Sequence, residues 1–227
     1  MIDVLTQLLA HSRLTQPPSN PATRALVRDL AAALNAASCH DKALPYYREL
    51  YTLKKAYKGE QDRGTLTALN NLATCYKSMD RPHDAIPLFR AVLEQRMAAF
   101  GPGDHDVGLS QNNLAMALYK LAASAPPIGS TQPPWEEARD LLVASLSCLR
   151  GAVGEEHPDT MNTAGNLAIL DGRQALDTLD KARIEGALQQ LQVCVHFFSS
   201  RLSPQHAWTE KFRSEASYFS EVSAKLR

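Results

Sequence analysis

Two kinds of side chain recur in this sequence where they could do chemistry. Asn70-Asn71 sits in LNNLA, and Asn112-Asn113 sits in QNNLA 42 residues later. Asn166-Leu167-Ala168 repeats the end of the same pattern. A carboxamide offers two donors and an acceptor. It can therefore pair with the N–H and C=O of an extended peptide whatever that peptide's side chains are. A second reading is that these asparagines bond to neighbouring helices and hold a stack together, and at least one of each pair is assigned to it. Asparagine is only a mediocre helix former, so either role accounts for its presence. The other recurrent group is histidine at connectors. His105 ends GPGDH, His157 lies in GEEHPD, and His206 ends SPQH. Recurrence at a connector suits a turn residue that caps the next helix. No base with an orienting partner is visible, so neither catalysis nor a metal is expected there.

Other chemistry is not signalled. The chain lacks G-x-S-x-G, H-E-x-x-H, P-loop and G-x-G-x-x-G patterns, so it reads as a non-enzyme that needs no cofactor. Cys39, Cys75, Cys148 and Cys194 are spaced too widely for a zinc cluster and too sparsely for a disulfide scaffold. They read as small apolar residues in a reducing compartment. The 24 basic residues balance 24 acidic ones, which counts against nucleic acid or a polybasic membrane contact. No apolar run is long enough to insert in a membrane. The stretch 1–14 has Asp3 early and no basic segment before an apolar core, unlike a secretory signal. A cytoplasmic setting is expected.

The elements that must position the asparagines are helices. The 227 residues include 32 Ala and 31 Leu but only 9 Val and 5 Ile, which favours an all-α chain. An alanine anchor recurs at Ala43, Ala85, Ala138 and Ala187, in phase with the Asn pattern and with the connectors. Each unit reads as two helices. Leu72, Ala73 and Tyr76 mark the first, and Ala85, Leu88, Phe89, Val92 and Leu93 the second. Asn20-Pro21, Pro82, Pro134, Pro158 and Pro204 suit helix starts, and Gly59, Gly101 and Gly154 suit helix ends. The organisation expected is residues 1–20 as an opening helix and linker, four repeats over 21–61, 62–104, 105–157 and 158–203, and a closing helix over 204–227. Two insertions interrupt the 42-residue period. One is a Pro-rich loop at 122–134, and the other lies between Asp171 and Ile184. The loop reads either as a tolerated insertion or as a partner contact anchored by Trp135.

The segments TLTALNNLATCY (65–76), HDAIPLF (83–89) and GEEHPDTMNTAGNLA (154–168) resemble the tetratricopeptide repeat. They are most similar to its 42-residue kinesin-light-chain variety. Repeat one departs with Arg28-Asp29 in place of the paired Asn. Repeat four departs with Gly165-Asn166 and with Asp171-Gly172 where a bulky residue is expected. The resemblance implies a right-handed α-solenoid of about ten helices whose first helices line a groove. It implies inward positions for Thr67, Asn70, Asn71 and Thr74, for Leu109, Asn112, Asn113 and Met116, and for Asn162, Gly165, Asn166 and Ile169. Chaperone-binding relatives clamp two carboxylates with Lys, Asn and Arg. Only Arg28 and Asn71 could serve here, so that ligand is not expected. The function expected is a protein-protein interaction module, an adaptor or scaffold holding a peptide or partner segment at Arg28, Asn70, Asn71, Thr74, Asn112, Asn113, Met116, Asn162 and Asn166. The alternatives are a subunit of a multi-protein complex, contacting partners through its outer surface or the 122–134 loop, and a sensor of a small peptide signal.

Overall fold

Side chains at the ends of segments decide where the helices begin and stop. Asn20 accepts a hydrogen bond from the Ala22 amide at 2.8 Å, with Pro21 as the first helical residue. Asp62 accepts from the Thr65 amide at 3.0 Å, and Asp180 from the Arg183 amide at 3.1 Å. Gly59, Gly101 and Gly154 take φ of 85°, 83° and 93°, a conformation open to glycine, and stop the helices before them. The structure, a computed structural model, describes residues 1–17, 20–124 and 134–226. Among these residues there are ten helices. They are α1 (Ile2–Thr15), α2 (Pro21–Ala36), α3 (His40–Lys58), α4 (Arg63–Ser78), α5 (Pro82–Phe100), α6 (His105–Ser124), α7 (Pro134–Val153), α8 (Pro158–Asp177), α9 (Lys181–Arg201) and α10 (Ala207–Lys225).

One helix start differs from expectation. Pro204 does not open the closing helix, which begins at Ala207. The His206 imidazole takes the cap by accepting from the Trp208 amide at 3.2 Å, and the Thr209 hydroxyl reaches back to the Ser203 carbonyl at 2.8 Å. Pro204 is left in the turn, where its carbonyl accepts from Arg213 at 3.2 Å. The connector before α8 is built the same way. His157 accepts from the Asp159 amide, and Thr160 donates to the Gly154 carbonyl at 2.7 Å.

The chain divides into two compact units, Met1–Gly101 and Pro102–Arg227. In the first, α1 to α5 each pack on the next in sequence. The alanine anchors explain how closely they do so. Ala43 and Ala85 are completely buried, and Leu30, Leu50, Leu66 and Phe89 fill the space around them. Each large apolar side chain buried in this way stabilises the fold by about 1.5–3 kcal/mol.

In the second unit α6 to α10 also pack in order, and α8 touches both α6 and α10. Phe198 stacks on Phe212 with centroids 5.7 Å apart, and Trp208 meets Phe198 edge-on at 5.3 Å. These aromatics account for the glycines of repeat four. A Cβ on Gly165 would lie 2.5 Å from the Phe212 ring, and one on Gly172 would lie 2.6 Å from Phe219. Both positions are small because the closing helix fills them, and α8 runs unbroken past Asp171-Gly172. It has 20 residues against 16 in α4, which absorbs part of the second insertion. In the first insertion, residues 122–124 continue α6 and Pro134 opens α7. The remainder of that expected loop, 125–133, lies outside the described residues. Among the described residues, no helix is long and apolar enough to cross a membrane.

Candidate partner-binding surface

The asparagines ride on first helices, and their surroundings sort them. On α4, Thr67, Asn70, Asn71 and Thr74 follow helical spacing along one side. Thr67 is exposed and the other three are half-buried, while Leu66, Leu69, Leu72 and Ala73 on the opposite side are buried. The Thr74 hydroxyl donates to the Asn70 carbonyl at 2.9 Å. Thr67 accepts from Arg96 of α5 at 3.2 Å.

In the second unit the pair splits. Leu109, Asn113 and Met116 of α6 and Asn162 of α8 are half-buried. Asn112 and Asn166 are 6% and 2% exposed and meet each other: the Asn166 amide donates to the Asn112 carbonyl oxygen at 2.8 Å. Lys211 of α10 donates to the other end of Asn166. The result is a polar chain across α6, α8 and α10. A buried carboxamide without partners costs about 1–3 kcal/mol, and here the partners are other repeat elements. Gly165 and Ile169, also expected on this side, lie under the closing helix. Arg28 of α2 is exposed and pairs with its neighbour Asp29 at 2.8 Å.

One pairing was not foreseen. Arg173 of α8 donates to Glu215 at 2.7 Å and lies 4.5 Å from the Tyr218 ring. Trp135 stands in the first turn of α7, half-buried and edge-on to Tyr119 at 5.5 Å. Nothing in the local pattern pairs residues 42 positions apart, so only the folded packing reveals Arg173 with Glu215.

The connector histidines form a joint. His105 Nε2 lies 2.9 Å from Asp159 Oδ2, and the His105 and His157 rings meet edge-on at 5.6 Å. Both histidines and Asp159 present ligand atoms within 4.8 Å of one another, a spacing a divalent metal could span. Two features oppose that use. His157 Nδ1 already spends its lone pair on the α8 cap, and the N-terminal dipoles of α6 and α8 disfavour a cation. The arrangement suits a hydrogen-bonded hinge between two helix starts. Three of the thiols are equally quiet. Burial pushes Cys75 and Cys148 above their ordinary range and raises Cys194 from 9.0 to about 11, so the thiolate form is suppressed.

Stacked helix pairs, small-residue anchors and polar first-helix stripes define a class of α-helical repeat proteins. The tetratricopeptide repeat family profile matches residues 22–97 and 67–125. Solved structures agree on the fold. A substituted form of a Podosopora anserina protein with nearly identical kinesin-light-chain TPR-like repeats is similar over 92% of this chain and 88% of its own, at 15% identity and a TM-score of 0.62. The form without that substitution is similar at 16% identity and 0.61, over 93% and 90%. BtubC (BKLC) from P. vanneervenii is similar at 17% and 0.58, over all of this chain and 89% of its own. No curated protein sequence matches the chain. The chain thus carries tetratricopeptide repeats over residues 22–125, and its structural neighbours at low identity, which share the fold, are kinesin-light-chain-like.

Proposed function

We propose that this protein binds an extended partner segment through the carboxamides that stay open to solvent on its first helices. Tetratricopeptide repeats are in general protein-protein interaction modules and are typically non-catalytic. The observation that carries the finer reading is a difference in burial among the asparagines. Asn112 and Asn166 are buried and bond to each other, whereas Asn71 on α4 and Asn113 on α6 are half-buried. A carboxamide at such a place can pair with a peptide N–H and C=O together, with Thr74 and Met116 beside it for side-chain packing. The ligand is held by backbone pairing and packing, since Arg28 is engaged with Asp29 and Asn71, Thr74, Asn113 and Met116 carry no charge.

The test is a peptide selected against the protein from a random-sequence library. Asn71→Ala and Asn113→Ala report on the two units separately. At least one of them is expected to weaken that peptide while leaving helical circular dichroism unchanged. N-methylation of single peptide amides should weaken binding at the positions that pair. Failure to select any peptide, or affinity indifferent to both substitutions, contradicts the reading.

A further inference from the structure

Repeat four differs from the others at one position on its second helix. The residue before the alanine anchor is Lys42, Asp84 and Glu137 in the first three repeats, and Gly186 in the fourth. Inside a helix, glycine costs roughly 1 kcal/mol relative to alanine. No packing constraint explains it here, because a Cβ on Gly186 would meet nothing within 4 Å. What the missing side chain leaves is space, in a cleft of 370 Å³ between α7, α8 and α9. Leu146, Ala164, Ala168 and Ala187 contribute buried apolar surface to it.

Charged groups also line it, and they are not balanced. Arg139 Nε donates to Asp171 at 2.8 Å. Arg150 grips Glu155 through Nε at 2.5 Å and Nη2 at 2.8 Å. Both carboxylates of the cleft are thus engaged. Arg183, exposed in the first turn of α9, brings a third guanidinium, and among the described residues no carboxylate pairs with it. Apolar surface beside one unmatched cation, in a volume typical of small-ligand sites, defines a ligand by complementarity. We propose that this cleft binds a small organic monoanion, a compact apolar body bearing one sulfonate or carboxylate. The body lies against Leu146 and Ala168, and the anion meets Arg183. None of the carboxamides assigned to partner binding lines the cleft, so the two proposals stand independently.

The probe is anilinonaphthalene sulfonate, followed by its fluorescence, with phenylnaphthylamine as its uncharged counterpart. The sulfonate is expected to bind saturably at one site per chain and the neutral probe more weakly, the gap narrowing with added salt. Gly186→Leu should fill the cleft and abolish binding. It should also raise the Tm, because leucine has open space there and the better helix propensity. Arg183→Gln changes an exposed side chain and should weaken the sulfonate by about tenfold, the scale of one lost charge-assisted contact. It should leave the neutral probe unaffected. Binding that survives Gly186→Leu, equal binding of the two probes, indifference to Arg183→Gln, or no saturable binding overturns the proposal.

Discussion

Asn112 and Asn113 are adjacent residues of identical chemistry with opposite surroundings. Asn112 is buried against Asn166, while Asn113 stays half-open on α6. The sequence gives at least one asparagine of each pair to holding the stack but not which one, because composition and spacing cannot separate neighbours on a helix until its rotation against the next element is known. Replacing Asn112 with Ala strands the Asn166 amide, and about 1–3 kcal/mol of stability should be lost in urea unfolding. Asn113→Ala should cost well under about 1 kcal/mol in the same assay, in line with a partly exposed site. A double-mutant cycle on Asn112 and Asn166 should show coupling, since each is the other's partner. Cys75 and Cys194 are buried, whereas Cys39 and Cys148 are half-buried. Cys194 should resist alkylation at pH 8 in the folded protein and react once unfolded. Its sign is also fixed. Unfolded thiol ionises near 9.0 and folded thiol near 11, so the stability it contributes is whole below pH 9 and declines as pH rises toward 11. Urea midpoints that rise across that window would contradict this.

At the scale of elements, boundaries were legible wherever one residue type performs one local job. Asn20-Pro21, Pro82 and Pro158 begin helices, and Gly59 and Gly101 end them, because capping and positive φ are local requirements. His157 and His206 were legible as turn residues for the same reason, although Pro204 misled by standing three residues before its helix. Removing the His157 cap with Ala should cost about 1 kcal/mol, read as a lower Tm. The glycines of α8 were not legible. Their reason is Phe212 and Phe219 of α10, some 47 residues further along the chain. Two substitutions separate the kinds of glycine. Gly172→Ala forces a Cβ against Phe219 and should destabilise by roughly 1–3 kcal/mol despite alanine's better propensity. Gly186→Ala meets only open space and should stabilise by about 0.5–1 kcal/mol. Thermal melts that move both variants the same way would defeat this account of repeat four.

At the scale of the whole molecule, the repeat phase was the most legible feature. Alanines needed for close helix approach recur once per repeat, and Ala43, Ala85 and Ala138 are completely buried. What the surface holds was far less legible. Carboxamides recognise a peptide backbone, which all partners share, so they name a class of ligand and not its sequence. The balanced charge carries one consequence to this scale. Binding that rests on backbone pairing and packing should change little between low and physiological salt, unlike an electrostatic clamp. The most direct test of the central claim is calorimetric titration of one library-selected peptide into the wild-type protein and into the Asn71→Ala and Asn113→Ala variants. Backbone recognition by these first helices predicts affinity about fivefold or more weaker in at least one variant, with circular dichroism unchanged. Wild-type affinity in both would contradict it.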